Sequence, residues 1–402
     1  MRPIRDTIPI AEALALAMGA SVPLDRTERL PLEGSVGRVL AVPVVADQDV
    51  PPFNRAAMDG YAVVADSTFG ASGMEPQLLA CVETVHTGGI PSKTLVTGQC
   101  TQIATGAPMP DGADAVVMVE ETDRRNEDQV AIFTPVYPRQ HVGRRGADIT
   151  SGAKVLQRGD HLTPSRVGSI AALGIANIEV YAKPRVAILS TGNEIIAPGQ
   201  SLGPGQIYDI NRFTLGSVIR EHGGVAVSLP TAPDNLDELS DTVDACLEHD
   251  LLVFSGGSSV GERDLTVDVI RRKGEILFHG IAVKPGKPTV FGTIGTTPVL
   301  GMPGYPTSCL SNAYMLLMPV LRRLARLPEH RFRTVCVPAA QRIVSTTGRH
   351  QFYTVRVVDG TAVSAFKASG DITSMSQADG YIEIPAQTDI VEEGETVEVK
   401  LF

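Results

Sequence analysis

The chain has 402 residues, with 35 Lys and Arg against 45 Asp and Glu, giving a formal charge of −10. That balance argues against a protein that works by neutralising a nucleic-acid backbone or an anionic membrane surface, but leaves room for a small anion in a locally positive pocket. At 43% hydrophobic it is too apolar for disorder and long enough for two to four domains, so its 39 glycines and 28 prolines belong to turns and tight loops.

The N-terminal stretch carries an early pair, Arg2 and Arg5, but Asp6 and Glu12 interrupt it. No run approaches the ~20 apolar residues of a membrane helix, so neither a signal peptide nor a span is expected. The pattern predicts a helix: Thr7 as cap, Pro9 in the first turn, Ile10, Leu14 and Met18 on one face, Gly19 at the end. The same punctuation returns in TPSRVGSIAALG, with Thr163 capping, Pro164 first, Val167, Ile170 and Ala171 apolar, and Gly174 closing. Between them, residues 50–148 carry short β-rich runs such as DAVVMVEET and QVAIFTPV. The simplest reading is a β-rich domain, 50–148, inserted into a helical one made of 1–49 and 149–182.

From 183 to 327, strands alternate with helices. RVAILS, GVAVSLP, DLLVFSGG and TPVLGMPG are short apolar runs. Between or after them lie NRFTLGSVIREHG, which Asn211 can cap and Gly223 stop, then LDELSDTVDACLEH, LTVDVIRRKG and the long SNAYMLLMPVLRRLARL. That order predicts a doubly wound, mainly parallel sheet with helices on both faces, whose ligands gather beyond the C-terminal strand ends. Residues 328–402 return to β pattern, with QFYTVRVV-DG-TAVSAF as a hairpin and ETVEVKLF as a closing strand. The five cysteines are never closer than 19 residues, which argues against a disulfide framework, a zinc pair or a redox pair and for a reducing, cytoplasmic location.

Four strand ends open into polar or glycine-rich loops: Ser190–Glu194, Thr231–Asn235, Ser255–Asp264 and Gly301–Ser308. Any one alone is an ordinary tight connection. Four at one sheet edge predict a composite oxyanion or phosphate site, with Gly256, Gly257, Ser258 and Gly261 letting backbone N–H groups approach. Glu194, Asp234 and Asp264 occupy three of these loops, where they could hold a divalent cation or orient a water; singly, each could be a plain helix N-terminal acid. KPGKP sets Lys284 and Lys287 around a proline-stiffened turn, either a solvated surface loop or a point-charge cradle for an oxyanion. In the insert, Asp59, Thr105 and Asp148 sit in turns that composition alone would not make a site. Eight scattered histidines show no zinc pattern, no G-x-S-x-G elbow is present, and Cys309 reads as a buried structural thiol.

PPFNRAAMDGYAV, TGAPMPDGADAVV, RRGADI, LSTGNEI, SGGSSVGERD, VKPGKP and GMPGYPTS, in this order, resemble the molybdopterin molybdenumtransferase family, to which the E domain of gephyrin is related. The likeness spans nearly the whole chain. It implies four domains: the discontinuous helical one, the β-rich insert, an α/β domain (183–327) shared with molybdopterin adenylyltransferases, and a C-terminal β-barrel (328–402). It implies a homodimer whose site lies between the α/β domain of one subunit and the insert of the other. It also implies Mg²⁺-dependent conversion of adenylylated molybdopterin and molybdate into molybdenum cofactor with release of AMP, and transient contact with an adenylyltransferase. By motif, Asp59, Thr105, Asp148, Glu194, Asp234 and Asp264 match the catalytic set, with Glu194 and Asp264 for metal or water. Lys284 and Lys287 match the oxyanion-holding pair, and Pro303, Gly304 and Pro306 the last loop. ASGDITSM adds Ser369 and Ser374 as pterin or phosphate contacts. Tyr305 stands where many members have Asn, and Asn54 and Ala56 replace an Asp and a Ser, differences that bear on molybdate versus tungstate. Two other readings stay open: adenylyl transfer onto molybdopterin, and a non-catalytic binding or scaffolding paralogue.

Overall fold

The computed structural model describes residues 6–232, 235–256 and 265–402. The chain divides into a larger unit, Met1–Arg29, Gly37–Ala41 and Glu179–Phe402, and a smaller one, Leu30–Val36 and Val42–Ile178. The first helix of the larger unit, α1 (Ile10–Ala20), starts after Pro9 and has no side-chain cap, so Thr7 does not begin it. Ile8 is already committed to an extended bridge with Ile281, and the residue before a proline is held out of helical geometry. Nor does Gly19 end the helix, which runs on to Ala20.

The smaller unit is built on β1 (Gly60–Val63), β2 (Gln77–Val85), β3 (Gln99–Ile103), β4 (Ala115–Met118), β5 (Thr122–Arg124) and β6 (Gln129–Ile132), in the order β4-β1-β3-β2-β6-β5. Its β2–β3 pair is parallel and the other pairs are antiparallel. Alternation along the strands buries both faces: Tyr61, Val63 and Val117 join one core, Ala62, Ile103 and Val116 another. Cys81 and Cys100 lie in register on β2 and β3, a proximity their spacing of 19 conceals; both are free thiols. Helix α2 (Pro164–Ala172) is capped by the Thr163 hydroxyl as read, but Ile170 is its buried residue, joined by Leu173 just past its end, and Ala171 is exposed.

The larger unit carries β7 (Arg185–Ser190), α3 (Asn211–Glu221), β8 (Val225–Ser228), α4 (Leu236–Cys246), β9 (Leu251–Ser255), α5 (Leu265–Lys273), β10 (Glu275–His279), β11 (Val283–Lys284), β12 (Val290–Ile294) and β13 (Thr297–Met302). One sheet has the order β8-β7-β9-β13-β12-β10. Its first four strands are parallel, and β12 and β10 add antiparallel. The sheet is thus mainly parallel, and its antiparallel part begins where β12 and β13 are joined by a tight turn through Gly295. Successive residues face opposite layers. Val186, Ile188 and Val253 meet α1, α3 and the last helices, while Ala187, Leu189, Leu252 and Phe254 meet α4 and α5. The long helix expected over 311–327 is broken into α6 (Pro306–Asn312), a π turn at Ala313–Leu317 and α7 (Met318–Leu324). Pro319 has no N–H to continue the ladder into the preceding turn.

Beyond α7 come β14 (Thr334–Pro338), β15 (His350–Val358), β16 (Thr361–Ser364), β17 (Gly380–Ile384) and β18 (Thr396–Leu401). The sheet order is β11-β15-β17-β18-β14, with β16 on β15. The β15–β16 hairpin turns at Asp359 and Gly360, both at positive φ, as the Asp-Gly signal requires. Ala339, just past β14, bridges Ala362 in β16, so this sheet curls toward its own edge.

Candidate active site

Strand register builds the site of the larger unit. Ser190 pairs with Ser255, Ser255 pairs with Met302, and an isolated parallel bridge joins Thr191 to Ala232. The loops after β7, β8, β9 and β13 therefore leave one carboxyl edge side by side, where α/β sheets place ligands. Gly256 has φ +101, and a Cβ there would stand 2.5 Å from the Thr191 carbonyl oxygen. Only glycine fits, and its Cα lies bare toward Gly304, whose own Cβ would sit 3.6 Å away. Pro303 is buried, and Pro306 opens α6 at its first position.

Asp209 was not singled out by the sequence. Its carboxylate is 5% exposed, accepts the Ser190 hydroxyl at 2.6 Å and the Arg212 N–H at 3.0 Å, and thereby caps α3. Asn211, expected as that cap, is instead the first helical residue. Its Nδ2 donates to the Gly304 carbonyl at 2.8 Å, fixing the last loop against α3. An Asp two residues before the first polar helix residue was the signal for the true cap. Asp209, Arg212, Arg220, Ser228 and Thr231 line a cavity of about 320 Å³ beside this edge. The Oγ1 of Thr191 and Oδ1 of Asn211 are buried without a partner among the described residues.

Glu194 is exposed, its carboxylate lying over Gly192 where a Cβ would come within 2.7 Å. Lys284 Nζ donates to the Thr346 hydroxyl at 2.7 Å, tying the basic loop to the turn that ends at Arg349. Asn312 Nδ2 pins that loop by donating to the Gly286 carbonyl at 2.9 Å, and the Lys287 carbonyl accepts the Ile281 N–H at 3.0 Å. Ser369 reaches the same neighbourhood: its carbonyl accepts the Thr307 N–H at 3.1 Å at the start of α6. Ser374 lies in the same segment. It is fully buried, and its hydroxyl bonds Thr354 at 3.0 Å and accepts the Lys367 N–H at 3.3 Å. Cys309 is buried, and burial pushes its thiol up, as suits a structural cysteine. Asp234, Gly257, Ser258, Gly261 and Asp264 lie outside the described residues.

In the smaller unit, pairing of Gly60 with Ile103 brings Asp59 to Thr105 across 46 residues, and Asp59 Oδ1 accepts the Thr105 N–H at 2.7 Å. Both are exposed. Asp148 is exposed too, and its backbone N–H donates to the Val50 carbonyl at 3.0 Å. Its loop is braced by Asp49, which takes Arg145 Nε at 2.6 Å and the Ser151 N–H at 2.8 Å. Two of the departures have structural work here: Asn54 Oδ1 accepts the Arg145 N–H at 2.9 Å, and Ala56 is buried in the core. Tyr305, in the larger unit, is 66% exposed.

A multidomain α/β protein whose strand ends meet at one carboxyl edge is thus the class that fold and site define. Residues 8–174 match the MoeA N-terminal region (domain I and II), 187–323 a probable molybdopterin binding domain, and 337–402 the MoeA C-terminal region (domain IV). The chain is 36% identical over 375 residues to molybdopterin molybdenumtransferase 2 of Mycobacterium tuberculosis, covering 90% of this chain and 91% of the relative. It is 32% identical over 388 residues to the molybdopterin molybdenumtransferase of Haemophilus influenzae, covering 94% of each. A solved MoeA protein from Pyrococcus horikoshii superposes with a TM-score of 0.84 at 31% identity, covering 99% of this chain and 100% of that one. The chain belongs to the MoeA family of molybdopterin molybdenumtransferases. No described helix is long and apolar enough to cross a membrane.

Proposed function

We propose that this enzyme inserts molybdate into adenylylated molybdopterin, releasing AMP and molybdenum cofactor. The observation that carries the reading is the alignment of the four loops at one sheet edge, with Gly256 bare toward Gly304 and the Lys284–Lys287 loop pinned by Asn312. Backbone amides and the two lysines hold phosphate and oxyanion, while Pro303, Gly304 and Pro306 shape the wall they work against. Asp59, Thr105 and Asp148 form a second catalytic edge, with Asp234 completing the acidic set. The dithiolene that receives the metal belongs to the substrate, so the buried Cys309 takes no part.

Among the described residues, no group of three or more His, Cys, Asp or Glu is placed to hold a metal ion. Mg²⁺, however, is commonly held by one or two carboxylates together with substrate phosphates, and the exposed Glu194 carboxylate is a donor of that type. Glu194 and Asp264 are the residues that would hold it. When bound it neutralises phosphate charge and eases departure of AMP. The reading extends to a cytoplasmic homodimer in transient contact with an adenylyltransferase. It also includes the four-domain division with a helical part and a C-terminal barrel.

Purified protein incubated with adenylylated molybdopterin, Mg²⁺ and molybdate should release AMP and yield cofactor that activates a molybdenum-free apoenzyme. Adenylylated product made from ATP and molybdopterin would instead favour adenylyl transfer. Tight substrate binding with no AMP would favour a scaffold. Asp264→Ala should lose turnover while the protein stays folded.

A further inference from the structure

A second cavity, of about 730 Å³, opens where α1, the π turn and α7 meet the C-terminal sheet, and none of the candidate site residues lines it. That volume falls within the usual range for small-molecule pockets. Leu14, Met18, Met315 and Met318 give it an apolar floor, and Tyr314, Phe332 and Tyr381 give it aromatic walls. The walls are preassembled. Tyr381 stacks on Phe352 at 3.9 Å, Phe332 meets Tyr381 edge-on at 5.7 Å, and Tyr314 packs against Phe402 at 5.3 Å. Rings held this way can receive another ring at little entropic cost.

The charges around the cavity are unevenly matched. Arg326 is paired with Asp25 at 2.5 Å, and Lys400 and His350 both face Glu383, at 2.8 and 3.5 Å. Arg322 is half-buried, and its Nε is spent on the Pro328 carbonyl at 2.9 Å; it forms no ion pair among the described residues. Burial pulls its guanidinium below the ordinary arginine range, and its charge helps keep the nearby His330 neutral. A partly desolvated guanidinium without an ion-pair partner among the described residues is a group that an incoming anion would stabilise, and its remaining N–H donors suit an oxyanion head.

We propose that this cavity is a second ligand site, taking a small aromatic anion with its ring against Tyr314, Phe332 and Tyr381 and its charged group on Arg322. The site is independent of the reaction proposed above. The probes are 8-anilinonaphthalene-1-sulfonate and its neutral counterpart N-phenyl-1-naphthylamine, titrated into the full-length protein by fluorescence.

The anionic probe should bind at one site per chain, and Arg322→Gln should weaken it at least tenfold while leaving the neutral probe within twofold. Lys284→Ala, at the strand edge, should change neither. If Arg322→Gln fails to fold, Tyr314→Leu carries the test by weakening both probes several-fold through the shortened aromatic wall. Equal affinity of the anionic probe for wild type and Arg322→Gln overturns the proposal, as does probe binding that Tyr314→Leu leaves unchanged. Binding that falls as the protein is concentrated through its self-association range would assign the cavity to a second copy of the chain, which also overturns it.

Discussion

The strand edge of the larger unit and the Asp59–Thr105 pair of the smaller one hold their candidate groups by opposite means. At the first, position is set by backbone: strand register aligns the loops, Gly256 fits only as glycine, and buried Asp209 and Asn211 brace α3 and the Gly304 loop. At the second, an exposed carboxylate is held by one hydrogen bond from the Thr105 N–H. At Gly256 the first arrangement therefore cannot be altered without straining the backbone, whereas the second can lose its chemistry and stay folded.

Gly256→Ala should break that contrast most severely. Its Cβ would stand 2.5 Å from a backbone oxygen at φ +101, so we expect about 2–3 kcal/mol of lost stability and a more than 100-fold fall in AMP release. Gly304→Ala is the control, since its Cβ would meet the Gly256 Cα at an ordinary 3.6 Å; melting within about 1 kcal/mol of wild type is expected. A Gly256→Ala protein of normal stability would show that the edge tolerates a side chain. Asp59 gives the opposite outcome: Asp59→Ala should cost at least 100-fold in turnover with little change in melting temperature. Asp59→Asn separates charge from geometry, because the amide oxygen can still accept the Thr105 N–H. Turnover as low as in the alanine variant assigns the role to the charge; near-wild-type turnover in the Asn variant reduces Asp59 to a loop brace.

Asn211→Ala should have a smaller effect. It removes the donor to the Gly304 carbonyl and relieves an unpartnered buried Oδ1, so stability should fall by only about 1 kcal/mol while turnover drops about tenfold. An unchanged turnover at the same stability would mean that the last loop needs no brace from α3.

These positions also mark how far the sequence could be read. The Asp359–Gly360 hairpin and the Thr163 cap were legible because each depends on residues a few positions apart. The strand runs of the α/β region were legible for the same reason. The start of α1 was not, because the bridge from Ile8 to Ile281 overrides the local Thr7 signal. Nor were the Asp59–Thr105 contact and the Cys81–Cys100 register, both of which exist only once β1, β2 and β3 have paired. The true cap of α3 was within local reach, but two polar residues competed for it, and only packing against Gly304 shows why Asn211 lost. Motif order identified the family, while the braces that make its loops rigid came from long-range contacts.

Acid offers the finest separation of the two regions. His222 lies at the C-terminal end of α3, the helix whose other end carries Asp209 and Asn211, and it is 3% exposed. Burial, with the nearby His330 and Arg322, pushes its imidazole down to about 4. A base whose folded pKa lies below its unfolded value of about 6.5 favours the folded state while neutral. Its contribution is therefore full above about pH 6.5 and is lost as the pH falls toward 4, a difference of about 3 kcal/mol at most. Thermal unfolding across that window should show a falling melting temperature that His222→Gln flattens, with hydrogen exchange rising first in α3 and the loop it braces. A melting profile of the same slope in the variant would mean that the proton enters elsewhere and that α3 is not the acid-sensitive element.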